Sequence, residues 1–393
     1  MNTILDSVRQ LFQSPEPVQP GTYHYQSPPE SDRQVRYHLR VDQDGKGLII
    51  LNASTVLHLN QTAVEYAYHL VQGTPAKEVA RRISARYKTS PAQARKDYLK
   101  FQHQINLMLD LPDLDPVAYF GLDREQPYSG AQTAPYRLDC ALTYRLPETS
   151  SPDLAPTRRV DRELDSAEWK TALDKAWEAG IPQIIFTGGE PTLREDLPDL
   201  IAHAENNGQV TGLLSGSPRL KEQDYLDKLL LTGLDHLMFI LSPQHKESWE
   251  VLSFILKEDL FTTAHITLKP DLIPYLPRFV NTLADLNANA VSFSISEPDN
   301  QALVKSLEEA RTLAAEKGLN LKWDLPVPYS RHNPVALEIE QERDQSGSGK
   351  AWLYVEPDGD VLPAQGVNRV LGNLLRDDWQ SIWSSRQDQP AEG

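Results

Sequence analysis

The chain has 393 residues with a single cysteine, and 39 Lys and Arg against 55 Asp and Glu give it a formal net charge of −16. A chain this long predicts two or three domains of about 100 to 200 residues each, and the acidic balance argues against a nucleic-acid partner, since phosphate binding rests on clustered Lys and Arg. One cysteine excludes an internal disulfide framework, and neither a signal-peptide pattern nor a run of about 18 apolar residues is present, so the expectation is a cytoplasmic protein with no membrane partner.

Taken in order, residues 1–34 read as an N-terminal helix and a linker. Ile4, Leu5, Val8, Leu11 and Phe12 have the spacing of an apolar helical stripe, and residues 15–34 are rich in Pro, Ser, Gln and Glu. Residues 35–110 read as one domain, with strands near 35–42, 46–51 and 54–58 and a turn at Asp44-Gly45. Three helices follow. Asn60 caps the first, Thr74-Pro75 opens the second and Ser90-Pro91 opens the third, which runs to about Leu109.

The stretch LNQTAVEYAYHLVQGTPAKEVARRISARYKTSPAQARKDYLKFQHQI is similar to the PqqD-like family, small winged domains also called RiPP recognition elements. The resemblance implies that a precursor's leader peptide adds as an extra strand beside the third strand and against the third helix. Its residues here would be Ser54, Thr55, Val56, Leu57 and His58 on the strand, with Ala94, Tyr98 and Phe101 on the helix. Main-chain hydrogen bonds at an exposed sheet edge supply the binding in that mode. A winged-helix DNA binder is the structural competitor, through Lys77, Arg81, Arg82, Arg86, Lys88, Arg95 and Lys96, and the acidic whole argues against it.

Residues 111–135 are dense in Pro, Asp and Gly and read as a second linker. From 136 to 330 six short apolar runs alternate with helices, the pattern of βαβ units and a parallel sheet: Tyr136 to Leu142, Ile184 to Phe186, Thr211 to Leu214, His236 to Leu241, Thr263 to Leu268 and Ala290 to Ser294. Leu321 to Asp324 is a further candidate. The string TGGEPTLREDLPDLIAHAENNG, on the end of the second run, resembles the S-adenosylmethionine (SAM)-binding segment of the radical SAM family. The resemblance implies an α/β fold with a partial (β/α)6 TIM-like barrel, and a cradle for the methionyl amino group at Gly188, Gly189, Glu190 and Pro191. In such a barrel Ser215, Ser242, Glu297 and Pro298 share the carboxyl end of the strands.

Radical SAM enzymes place a C-x3-C-x2-C loop after the first barrel strand. In YRLDCALTYRLPE the matching positions are Cys140, Tyr144 and Pro147, so two of the three thiolates that a [4Fe–4S] cluster takes are replaced. Residues 331–393 resemble the small SPASM or twitch extension of peptide-modifying members through WLYVEPDGDVLPAQG and GNLLRDDWQSIW, with Ser346 and Ala364 at cluster-cysteine positions. The ten histidines show no metal-ligand spacing. The expectation is a pseudoenzyme with no cluster, no metal and no required cofactor. It binds a leader peptide and serves a partner modification enzyme, or works as a homo-oligomer. Two alternatives stay open: an enzyme reusing the barrel with SAM or another small ligand, with acid or base work by Glu190 or Glu297, and an inactive scaffold subunit of a heteromer.

Overall fold

The computed structural model describes residues 17–28, 30–52, 55–110, 132–147, 160, 162–297, 299–321, 349–365, 367 and 369–386, with 55 and 56 described by their backbone. The predicted helix at residues 1–14, most of the second linker, and positions Ser54, Pro298 and Ser346 lie outside these residues. The chain divides into two compact units, Met1–Ala131 and Gln132–Gly393.

The first unit is a four-stranded antiparallel sheet followed by three helices. Strands β1 (Gly21–Gln26), β2 (Arg36–Val41), β3 (Gly47–Leu51) and β4 (Thr55–Leu59) lie in that order across the sheet. β1 corrects the reading of residues 15–34 as a linker and raises the strand count from three to four. Its alternating Thr22, Tyr23, His24 and Tyr25 pair residue for residue with β2, so main-chain bonding overrides a polar, largely exposed surface. The helices α1 (Gln61–Val71), α2 (Ala76–Arg86) and α3 (Pro91–Asp110) begin where their caps predict, with the Asn60 side chain accepting from the Ala63 N–H at 3.0 Å. Leu39, Ile49, Val64, Val79, Ile83, Tyr98 and Ile105 form the core between sheet and helices.

The second unit is built on six parallel strands: β5 (Arg137–Thr143), β6 (Gln183–Gly188), β7 (Val210–Ser215), β8 (His236–Ile240), β9 (Phe261–Leu268) and β10 (Ala290–Ile295). Consecutive strands are neighbours throughout. Helices α4 (Ser166–Glu178), α5 (Leu197–Asn207), α6 (Gln223–Leu231), α7 (Lys246–Ile255), α8 (Leu276–Asp285) and α9 (Gln301–Glu316) punctuate them. Asp165 and Glu168 close a reciprocal capping box on α4, and Gly208 at φ 92° ends α5 in the left-handed region. Leu321 contributes one isolated bridge to Val291 beyond β10.

The C-terminal hairpin belongs to the same sheet. β11 (Trp352–Val355) runs parallel to β5, β12 (Asp360–Leu362) and β13 (Gly372–Asn373) extend it antiparallel, and α10 (Trp379–Ser385) follows. Leu353, Val355, Val361, Ile382 and Trp383 enter the barrel's own helix-side core, and the Trp379 and Trp383 indoles donate to the Thr133 and Gln132 carbonyls. Among the described residues no helix is long and apolar enough to cross a membrane.

Candidate functional site

The carboxyl ends of β5, β6 and β7 meet at the predicted glycine pair. A Cβ on Gly188 would fall 2.2 Å from the Thr143 carbonyl oxygen, and one on Gly189 would fall 2.1 Å from that of Arg145. The Gly189 N–H donates to the Thr143 carbonyl at 2.6 Å and the Glu190 N–H to the Arg145 carbonyl at 2.9 Å. Contact with β5 and the residues just after it therefore requires both glycines, and the Gly189 and Glu190 amides are taken up within the chain.

Glu190 is 5% exposed and ties this loop to the next strand. Its Oε1 accepts from the Thr192 N–H (3.0 Å), the Thr192 hydroxyl (2.7 Å) and the Ser215 hydroxyl (2.8 Å), and its Oε2 accepts from the Gly216 N–H (3.2 Å). Burial pushes the carboxyl up from its ordinary range while these four bonds pull against that rise. Pro191 opens a short 3-10 turn, Pro191–Leu193, and α5 starts only at Leu197. The buried Arg194 guanidinium forks onto Asp196 at 2.6 Å and donates to the Leu142 and Leu164 carbonyls. Segment 188–194 is thus a buckle across three strands.

The end of β5 corrects the placement of the cluster positions. Cys140 lies inside the strand, not in the loop after it, and is 1% exposed among Leu138, Leu142 and Trp169 on the helix side of the sheet. Alternation along Leu138-Asp139-Cys140-Ala141-Leu142 puts it there, and burial raises its thiol far above the ordinary range. The loop begins at Tyr144, whose hydroxyl donates to the buried Glu356 carboxylate at 3.0 Å and lies 3.4 Å from the Tyr354 hydroxyl. Its ring packs on Ala141, Tyr354 and Leu362. The Thr143 hydroxyl donates to Glu163 and receives the Arg145 N–H at 3.0 Å.

This donor set does not fit a [4Fe–4S] cluster. Cys140 faces away from the strand ends and is held as a neutral thiol, the Tyr144 phenol is engaged by a carboxylate, and Pro147 and Ala364 have no donor side chain.

The concave wall carries further polar groups that the motif reading missed. His265 is fully buried, with Nδ1 3.0 Å from the Ser292 hydroxyl and Nε2 3.0 Å from that of Ser294, and burial lowers its pKa to about 3. Alternation along β9 and β10 places all three on one face. Arg137 and Asp139 pair at 2.8 Å on the same wall. Of the predicted strand-end residues, the Ser242 N–H donates to the Ser248 hydroxyl at 3.0 Å, and Glu297 is exposed and accepts from the Asn300 amide. Carboxylate oxygens of Glu356, Asp358 and Asp360 lie within 4.8 Å of one another, a grouping legible in E-P-D-G-D. Tyr144 takes up Glu356, Arg376 and Asn373 take up Asp360, and the Asp360 N–H donates to Asp358 at 3.1 Å, so the protein itself supplies partners to all three.

In the first unit β4 is the outer strand and among the described residues pairs only with β3. Leu57 and Leu59 are buried and His58 is exposed. The predicted helix contacts change character: Ala94, Tyr98 and Phe101 are 0%, 1% and 7% exposed and belong to the unit's own core, Tyr98 and Phe101 packing on Tyr66 with centroids 5.8 and 6.0 Å away. Their spacing with Ile105 and Met108 is a core stripe. What α3 offers outward is Leu99, 42% exposed, among charged residues.

Residues 140–242 match the model of the Radical SAM superfamily. The chain is similar to the PqqA peptide cyclase of Bradyrhizobium diazoefficiens, 27% identical over 237 residues that are 54% of this chain and 62% of that protein. It is also similar to those of Xanthomonas oryzae pv. oryzae, 25% identical over 57% of this chain and 66% of that protein, and Streptomyces rochei, 27% identical over 64% and 76%. The chain thus spans less than two thirds of the first two relatives. In fold it is similar to Streptococcus suis SuiB, solved bound to its precursor peptide SuiA, with a TM-score of 0.59 at 13% identity over 88% of this chain and 86% of that one. SuiB bound to S-adenosylmethionine gives 0.58 at 14% identity. The α/β fold with a parallel barrel sheet is that of the radical SAM proteins.

Proposed function

We propose that this chain is a catalytically degenerate member of the radical SAM peptide-modifying proteins, which captures the leader of a precursor peptide on β4 and presents the peptide to, or regulates, a separate modification enzyme. The observation that carries the reading is the outer strand β4, which among the described residues pairs with β3 alone and so presents its other side as a sheet edge. An extended peptide gains main-chain hydrogen bonds at such an edge and is selected by its alternate side chains. The similarity to PqqA peptide cyclases and to SuiB with its precursor peptide supports the class of partner. The β5 end supports the loss of radical chemistry, because the only cysteine is sealed in the strand and Tyr144 is clasped to Glu356 where the loop begins.

The test is selection of displayed random peptides of about 16 residues on the full chain, long enough for one added strand and its flanks. Selected peptides are expected to alternate apolar residues and to slow amide hydrogen exchange across residues 55–59. Selected peptides that protect the barrel strands and leave β4 unchanged would overturn the assignment.

A further inference from the structure

Helices α2 and α3 with the turn between them, residues 76–110, hold eight Lys and Arg against three Asp and Glu, the reverse of the balance in the whole chain. The three acids are already partnered. Glu78 takes Arg81 at 2.6 Å and Arg82 at 2.9 Å, Asp97 takes the Gln93 amide at 2.7 Å, and Asp110 takes Arg33 at 2.7 Å. Arg86 is bound to Glu65 at 2.8 Å. Lys77, Lys88, Arg95, Lys96 and Lys100 are left exposed, and among the described residues none of these five has an ion-pair partner. α2 and α3 pack on each other, so the surplus sits on one helical hairpin, and Leu99 adds an exposed apolar side chain between Lys96 and Lys100.

We infer that the α2–α3 surface receives an acidic, extended peptide segment, the continuation of the peptide that pairs with β4. The inference rests on the proposed function and names the chemistry of its partner. Five uncompensated cations suit a segment with a few carboxylates, and charge complementarity of this kind selects partners and speeds encounter. A nucleic acid is the weaker fit, because a long polyanion extends past the hairpin and is opposed by a chain with net charge −16. A peptide segment with a few carboxylates meets only the local surface within about a Debye length of 10 Å.

The test repeats the peptide selection on the full chain and on a Lys96→Glu/Lys100→Glu variant, both exposed positions whose exchange leaves the core untouched. Peptides selected on the natural chain are expected to carry an excess of Asp and Glu. One such peptide is expected to lose about tenfold in affinity on the variant, and to weaken as salt rises from about 50 to 200 mM, while protection of residues 55–59 persists. Peptides that protect β4 with no acidic excess and bind the variant equally would overturn the acidic partner and leave the leader-binding reading standing. If no selected peptide protects β4, both fall. Tighter binding of a duplex of about 20 base pairs, or a dimer of the natural chain that the variant breaks, would assign the surface to nucleic acid or to a second copy and overturn the inference.

Discussion

Gly189 shows how a ligand motif and a packing constraint coincide at one residue. The string TGGEP is readable as a cradle, yet a methyl group at 189 collides with the Arg145 backbone, which has no flexible end to move aside. A Gly189→Ala variant is therefore expected to lose about 3 kcal/mol of stability in urea unfolding with no ligand added. Unchanged unfolding would show that the glycine serves only the approach of a bound molecule. Glu190 was readable as a loop acid but not as a buckle, because its partner Ser215 is 25 residues away and a sequence window of one loop does not contain it. Cys140 illustrates the opposite case. Alternation along Leu138 to Leu142 already places its side chain with the leucines, and the motif spacing, read alone, puts it in a loop it does not occupy.

Among the elements, the joint between β5 and β11 holds the mouth of the barrel. Tyr144 follows β5 and Glu356 follows β11, two strands in parallel register whose contact spans 212 positions of sequence. Tyr144→Phe leaves the buried Glu356 without its phenol donor and is expected to cost about 1 to 3 kcal/mol in urea unfolding. Replacing both, as Tyr144→Phe with Glu356→Leu, is expected to recover part of that loss, since no buried carboxylate then lacks a donor. A double variant no more stable than the single would refute the clasp. The parallel strands, their helices and the hairpin at Pro357-Asp358-Gly359 were legible because apolar runs, caps and turn residues agree locally. β1 was not, because Gly21–Gln26 sits in a polar, proline-rich stretch and becomes a strand only by pairing with β2. The parallel bond of β11 to β5 was equally hidden, since pairing across such a separation leaves no local trace.

At the scale of the whole molecule, one unit carries an outer strand and a basic helical hairpin, and the other carries a barrel of radical SAM likeness with a single, buried cysteine. Fold and family likeness were legible from the barrel pattern and TGGEP, whereas the contents of the mouth needed the contacts of Tyr144, Glu190 and Glu356. The central claim is that this barrel supports peptide handling without generating a radical. Anaerobic reconstitution of the full chain with iron and sulfide, followed by its visible absorbance and by assay of 5′-deoxyadenosine from S-adenosylmethionine, tests it most directly. A colourless protein that releases no 5′-deoxyadenosine is the predicted result, and a stoichiometric cluster that cleaves S-adenosylmethionine would contradict it.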